Sequence, residues 1–349
     1  MSREPSSETS SPKRQVGLHE RQDVKFTSKL VLNLLKATIT FGILYYLYEH
    51  GMLDFSRVSK VLTNIPVMST CFAVMISSTL AGFFRWWLLL EGQGLRVSKS
   101  EALKLTMIGV FFNTAIPGAV SGDVVKGFYV VRQQPDGRGK IRAFTTLLLD
   151  RVLGLSALIG VSFLAMALNF KDMTANPTLK PFCGLISMLG AGVVVFYVFV
   201  LAQWPFSAKI TRLLARLPAG DYFVKLYDAV KAYESCRHYV FKGLAISVAI
   251  HCSIIGVFIA LSRSLGGFEA VPLDKFFFLT PLGLLVTAIP VAPAGLGTGH
   301  AAFFGLYKMV GATGGADLFT AFVTFQLTIS LIGGLFYVNY RGHLPKNTG

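Results

Sequence analysis

The chain has 349 residues, a formal net charge of +15, only 15% charged residues and a mean hydropathy of +0.57. Soluble domains carry about 25% charged residues, so these values exclude a soluble globular protein and predict an integral membrane protein. The excess Lys and Arg gathers in short segments between apolar runs, which is the positive-inside pattern and not a nucleic-acid surface.

Residues 1–29 are polar and Ser-rich and are expected to form a disordered, basic cytoplasmic N-terminus. The apolar run that follows has no small-residue cleavage site and reads as a retained first helix, not a signal peptide. The apolar runs last about 20 residues without the alternation of barrel strands, so the spanning elements are helices. Full spans are predicted at 30–48, 67–90, 144–168, 182–203, 241–263 and 319–340. The stretches 103–131 and 276–311 differ from these, because each is interrupted by Pro and Gly near its middle.

The first interruption reads Asn113-Thr114-Ala115-Ile116-Pro117-Gly118-Ala119-Val120-Ser121-Gly122-Asp123, the second Ile289-Pro290-Val291-Ala292-Pro293-Ala294-Gly295-Leu296-Gly297-Thr298-Gly299. Pro removes a backbone donor and Gly weakens the helix. Unwound backbone at bilayer depth persists only where protein or a water-filled cavity satisfies it. The arms are too short to cross comfortably alone, so each stretch is read as a re-entrant hairpin. The segments 132–142 and 205–240 are polar loops, the second with an amphipathic surface helix around 208–237.

With the N-terminus in the cytoplasm, the inside segments 1–29, 91–104, 132–142, 205–240 and 341–349 hold six, three, four, six and two Lys/Arg. The outside segments hold only five in all, against 21 inside, which supports this placement and two cytoplasmic termini. Two thin spans in place of each hairpin keep the same parity. Residues 30–168 then read helix, helix, broken hairpin, helix from inside, and 182–340 repeat that order from outside. The expected architecture is thus an all-α polytopic membrane protein: six full transmembrane helices plus two re-entrant broken hairpins in an inverted repeat. That is the arrangement of proteins that alternate access around a central site.

Asp123 lies in the outgoing arm of the first hairpin with Lys126 at i+3. Ionisable groups inside apolar segments are costly and mark functional sites by default; the competing reading is a simple pair at the interface. Asn113 either caps the unwound turn or binds a polar headgroup. Asp150 and Arg151 are adjacent inside the third span, read either as a paired network or, for Arg151, as an interfacial snorkeller. At the second break Pro290, Pro293, Gly295, Gly297 and Gly299 leave backbone groups exposed to a phosphate or headgroup, Thr298 is a further candidate contact, and His300 is a headgroup donor, a proton-sensitive group or a packing residue. Arg85 beside Trp86 and Trp87 reads as an interface belt, His251 as packing, and Arg263 and Lys308 as snorkelling side chains. Four cysteines without Cys-x-x-Cys spacing predict neither disulfides nor a metal site. No nucleophile elbow, His-Glu-x-x-His or Walker A loop occurs, so neither a catalytic centre nor a cofactor is expected.

The combination Asn113, Pro117-Gly118, Gly122-Asp123, Asp150-Arg151 and Pro290, Pro293, Gly295-Leu296-Gly297 resembles the lysylphosphatidylglycerol synthase transmembrane region family. This is the flippase-like domain of the bacterial multiple peptide resistance factor and of stand-alone membrane proteins. The resemblance covers nearly all of 30–340. It implies a bacterial or archaeal inner-membrane protein that moves a lipid or lipid-linked headgroup between leaflets, with the residues above as headgroup contacts. It leaves open a homo-oligomer or a separate lipid-modifying enzyme as partner. The family commonly has Gly-Gly-Asp followed by Arg, where this chain has Ser121-Gly122-Asp123 and Lys126, and an acidic residue near the place of His300. The first departure points to a different headgroup preference, and the second away from an aminoacylated, cationic lipid. No aminoacyl-transfer domain follows residue 340, so the chain is expected to translocate and not to synthesise. The rival readings are the membrane subunit of a lipid-modifying transferase and a scaffold that binds lipid without moving it.

Overall fold

The structure is a computed structural model that describes residues 38, 42, 44–49, 51, 53–116, 121–134, 137–201, 207–216, 220–289 and 293–340. Among these residues it is helical throughout, without a strand. The elements in chain order are α1 (Phe55–Thr63), α2 (Ile65–Gly92), α3 (Lys99–Ala115), α4 (Ser121–Arg132), α5 (Gly137–Leu168), α6 (Phe170–Ala175), α7 (Lys180–Leu201), α8 (Ser207–Leu214), α9 (Gly220–Lys231), α10 (Arg237–Leu265), α11 (Leu273–Thr287), α12 (Thr298–Lys308) and α13 (Gly315–Asn339).

Five of them, α2, α5, α7, α10 and α13, are long and apolar enough to cross a membrane, which makes this a multi-pass membrane protein. They fall where the hydropathy pattern expects them. The predicted span 30–48 lies mostly outside the described residues, of which 44–49 are helical. Each interrupted stretch forms two helices that pack on one another, α3 on α4 and α11 on α12.

Two details differ from the sequence expectation. The surface helix placed at 208–237 is two shorter helices, α8 and α9, followed by a 3-10 turn at Ala232–Glu234; Pro218 and Gly220 stand at the division, where a continuous helix is unfavourable. The segment 49–65, expected as an outside loop, contains α1. Its apolar residues Val58 and Val61 are one helical turn apart and both buried, and Asp54 caps it by accepting the Ser56 N–H at 2.8 Å. The Ser56 hydroxyl and N–H hold the Asp54 carboxyl below the ordinary carboxylate range. Asp317 at the start of α13 fastens this helix, accepting the Asp54 N–H at 2.7 Å and pairing with Arg57 at 3.3 Å.

Bare backbone lets the helices approach. A Cβ on Gly283 would stand 2.4 Å from Phe303, and one on Gly299 2.3 Å from Phe319. Small residues at such contacts are the usual means of association in a bilayer, where lipid is as apolar as the protein core. Phe258, Phe303 and Phe319 therefore stack in series, with centroids 4.9 and 5.0 Å apart. This aromatic core joins α10, α12 and α13.

Candidate functional site

The first break begins at Ile116, whose extended backbone (φ −111, ψ 129) ends α3, as the residue before a proline requires. Pro117 and Gly118 lie outside the described residues. The two arms are tied across the break: Asn113 Oδ1 of α3 accepts the Gly122 N–H at 2.8 Å, and the Ser121 hydroxyl donates to the Phe112 carbonyl at 2.8 Å. The side chains of one arm thus satisfy the unpaired backbone at the start of the other. Gly122 makes this possible, since a Cβ there would lie 1.9 Å from the Gly109 carbonyl oxygen.

One residue on, Asp123 is buried and carries two cations. Lys126 Nζ stands 3.0 Å from its Oδ1, and Arg151 Nε of α5 bonds to its Oδ2. The Lys126 ammonium also lies 4.7 Å from the centre of the Trp86 ring, a cation–π contact that supports a cation withdrawn from water. Lys126 has 8% of its side chain exposed and Arg151 41%, so Arg151 is the face of this cluster open to a ligand.

Asp150 takes the other direction. Consecutive helical residues point about 100° apart, and while Arg151 faces α4, Asp150 pairs with Arg85 of α2 at 2.7 Å. Arg85 Nη1 donates to the Ser247 hydroxyl of α10 at 2.8 Å. Near it His251 Nε2 contacts the Gly154 carbonyl at 3.0 Å, a packing role of the kind expected for it. Three cations and two carboxylates therefore bind α2, α4, α5 and α10 together, with one positive charge in excess.

The second break is built without charge. After α11 the 3-10 turn Pro293–Gly295 forms, with Ala294 in the left-handed region at φ 51 and Gly295 and Gly297 at φ 69 and 79. A non-Gly residue in that conformation is strained. His300 Nδ1 accepts the Gly297 N–H at 3.2 Å, and its ring packs edge-on against Phe319 at 4.9 Å. Thr298 donates to the Gly295 carbonyl at 3.3 Å. Of the readings open for His300, the structure supports packing and local capping: it is 2% exposed. The turn packs against α3, the helix that leads into the first break.

The lysylphosphatidylglycerol synthase TM region family matches residues 33–334. The chain belongs to that family. A UPF0104 membrane protein of Pyrococcus horikoshii, PH1989, is 25% identical over 154 residues, which is 44% of this chain and 42% of that relative. The alignment thus spans less than half the length of the relative. No solved structure matches.

In this family member the sequence-selected residues divide into two groups. Asn113, Gly122, Asp123, Lys126 and Arg151 meet at the first break, with Asp150 behind them; Gly295, Gly297, Thr298 and His300 form the second turn. Pro290 lies outside the described residues, and of Pro293 only the turn is described. Arg85 corrects the interface-belt reading: 13% of its side chain is exposed and it is the counter-ion of Asp150. The signal was available, because an acid inside a span demands a cation from another span. Arg85→Met is expected to lower stability by ~3–5 kcal/mol, as for a buried carboxylate left alone. Arg85→Met with Asp150→Leu is expected to recover most of it, read from thermal unfolding in detergent; a single variant as stable as the parent removes the pair from the account.

Proposed function

We propose that this protein moves a phospholipid or lipid-linked headgroup between the leaflets of the membrane. The observation that carries the reading is the Asp123–Lys126–Arg151 cluster at the first helix break, with the turn of the second break packed against the helix that leads into it. Headgroups are polar and mostly phosphate-bearing, and crossing a hydrocarbon core requires replacement of their hydration. A cluster with one excess positive charge, a half-exposed Arg151 side chain and backbone freed at two breaks supplies such replacement. Broken helices meeting at a midplane site are the general construction of secondary transporters.

In this reading the chain has six spans and two re-entrant hairpins, 103–131 and 276–311, within inverted halves 30–168 and 182–340. Both termini are cytoplasmic, in the inner membrane of a bacterium or archaeon, and Asn113, Asp123, Lys126 and Arg151 contact the headgroup. The second break forms the opposite wall.

Two measurements test it. Purified protein in liposomes carrying a fluorescent phospholipid is expected to speed its exchange between leaflets; exchange at the rate of protein-free liposomes refutes transport. Single cysteines at the exposed positions Gly137 and Thr313, in a background with Cys71, Cys183, Cys236 and Cys252 replaced, are expected to react with impermeant reagent from opposite sides. Labelling from one side removes the inverted repeat.

A further inference from the structure

A cavity lies apart from the ion cluster, at the open end of the first hairpin. It has a volume of about 730 Å³ and is bounded by the segment before α3, the end of α4 and the last turn of α13. This is within the ~300–1,000 Å³ of small-molecule sites. Arg96 and Lys104 line it, both exposed, and neither forms an ion pair among the described residues. The one acid present, Glu101, is already engaged: its Oε1 accepts from the Tyr340 hydroxyl and from Gln133 Nε2 at 3.4 Å. The cavity therefore offers two cations without an ion-pair partner and one hydrogen-bonded carboxylate, a net charge of +1.

Its other wall is apolar. Leu335 and Phe336 line it, and the surface continues along α13 through Leu331, Leu335 and Val338, which are 69%, 64% and 79% exposed. Spacings of four and three residues put these side chains on one face of the helix. In a bilayer such a strip is covered by acyl chains. Cations at one end and an apolar strip leading away match an amphiphile that carries a negative headgroup.

The cavity also stands close to the buried cluster. The Lys126 stem would meet a Cβ on Gly109 at 3.1 Å, and Gly109 is five residues beyond Lys104, about 7.5 Å along α3. We infer that this cavity binds a phosphate-bearing anionic lipid, its phosphate on Arg96 and Lys104 and its chains along α13, as the loading site from which the headgroup passes to Lys126 and Arg151. The loading role rests on the transport reading above; the binding does not.

Full-length protein in detergent is titrated with dihexanoyl phosphatidylglycerol, dihexanoyl phosphatidylcholine and glycerol 3-phosphate, followed by calorimetry. The anionic lipid is expected to bind at least about tenfold more tightly than the other two, and Arg96→Gln with Lys104→Gln to remove about tenfold of that affinity. Both positions are exposed, and an unchanged melting temperature shows that the variant is folded. Unchanged affinity in the folded variant overturns the site, and glycerol 3-phosphate binding as tightly as the lipid overturns the assignment to a lipid. Asp123→Asn is expected to retain this binding. Normal leaflet exchange by the Arg96/Lys104 variant overturns the loading role alone, whereas absence of exchange by the parent protein overturns the transport reading and leaves the binding result standing.

Discussion

Asp123→Asn is expected to slow leaflet exchange about 100-fold or more, equivalent to ~2.7 kcal/mol. The substitution keeps the size of the side chain and removes its charge. Lys126, buried beneath the Trp86 ring, and Arg151 then face one another with no anion between them. Removing one member of a buried pair costs ~3–5 kcal/mol, so the variant is also expected to melt earlier. Stability and function are separated by the double variant Asp123→Asn with Lys126→Met, which withdraws both charges of the buried pair. It is expected to regain stability without regaining exchange. Recovery of both together identifies the cluster as scaffold and takes Asp123 out of the transport mechanism.

Gly122→Ala is the second large effect. The added carbon would lie 1.9 Å from the Gly109 oxygen, 2.6 Å from its carbonyl carbon and 2.9 Å from Asn113 Cγ. Real Cβ atoms do not come within 3.0 Å of such neighbours, and two of the three are backbone, which cannot swing aside. The arms α3 and α4 must separate, and the Gly122–Asn113 hydrogen bond that closes the break goes with them. Overpacking of this kind costs ~1–3 kcal/mol or more, and the lost bond adds ~1 kcal/mol. Because Asp123 is the next residue, exchange is expected to fall as well. Gly82→Ala is the matched control: that position, inside α2, has nothing within 4 Å of an added Cβ, and alanine is expected to be neutral or to stabilise the helix by ~0.5–1 kcal/mol. Equal melting temperatures for the two variants, measured by differential scanning fluorimetry, contradict the close approach of the arms.

Both effects arise where a local signal meets a distant partner, and that distinction separates what could be read in advance. Five membrane-crossing helices and the two interruptions were legible because hydropathy and the Pro/Gly steps act within a single segment. Ile116 is extended since the next residue is proline, whatever surrounds it. The helix α1 was legible in principle, from Asp54 and the spacing of Val58 and Val61, but its 9 residues are concealed in a loop too short to draw attention. Asp123 with Lys126 was legible because i and i+3 share a helical face.

Only the tertiary structure decided the rest. Asp150 and Arg151 are neighbours in the chain, yet one bonds to α2 and the other to α4, because the 100° step between them sends each to a different packing partner. Arg85 is an ion-pair partner and not an interface residue because α2 packs alongside α5 and α10. His300 turns back to cap Gly297 since Phe319 occupies the space beyond it. Backbone conformation and membrane crossing follow from a residue and its near neighbours; charge pairing depends on which helix faces meet, and those are chosen by packing across the whole bundle.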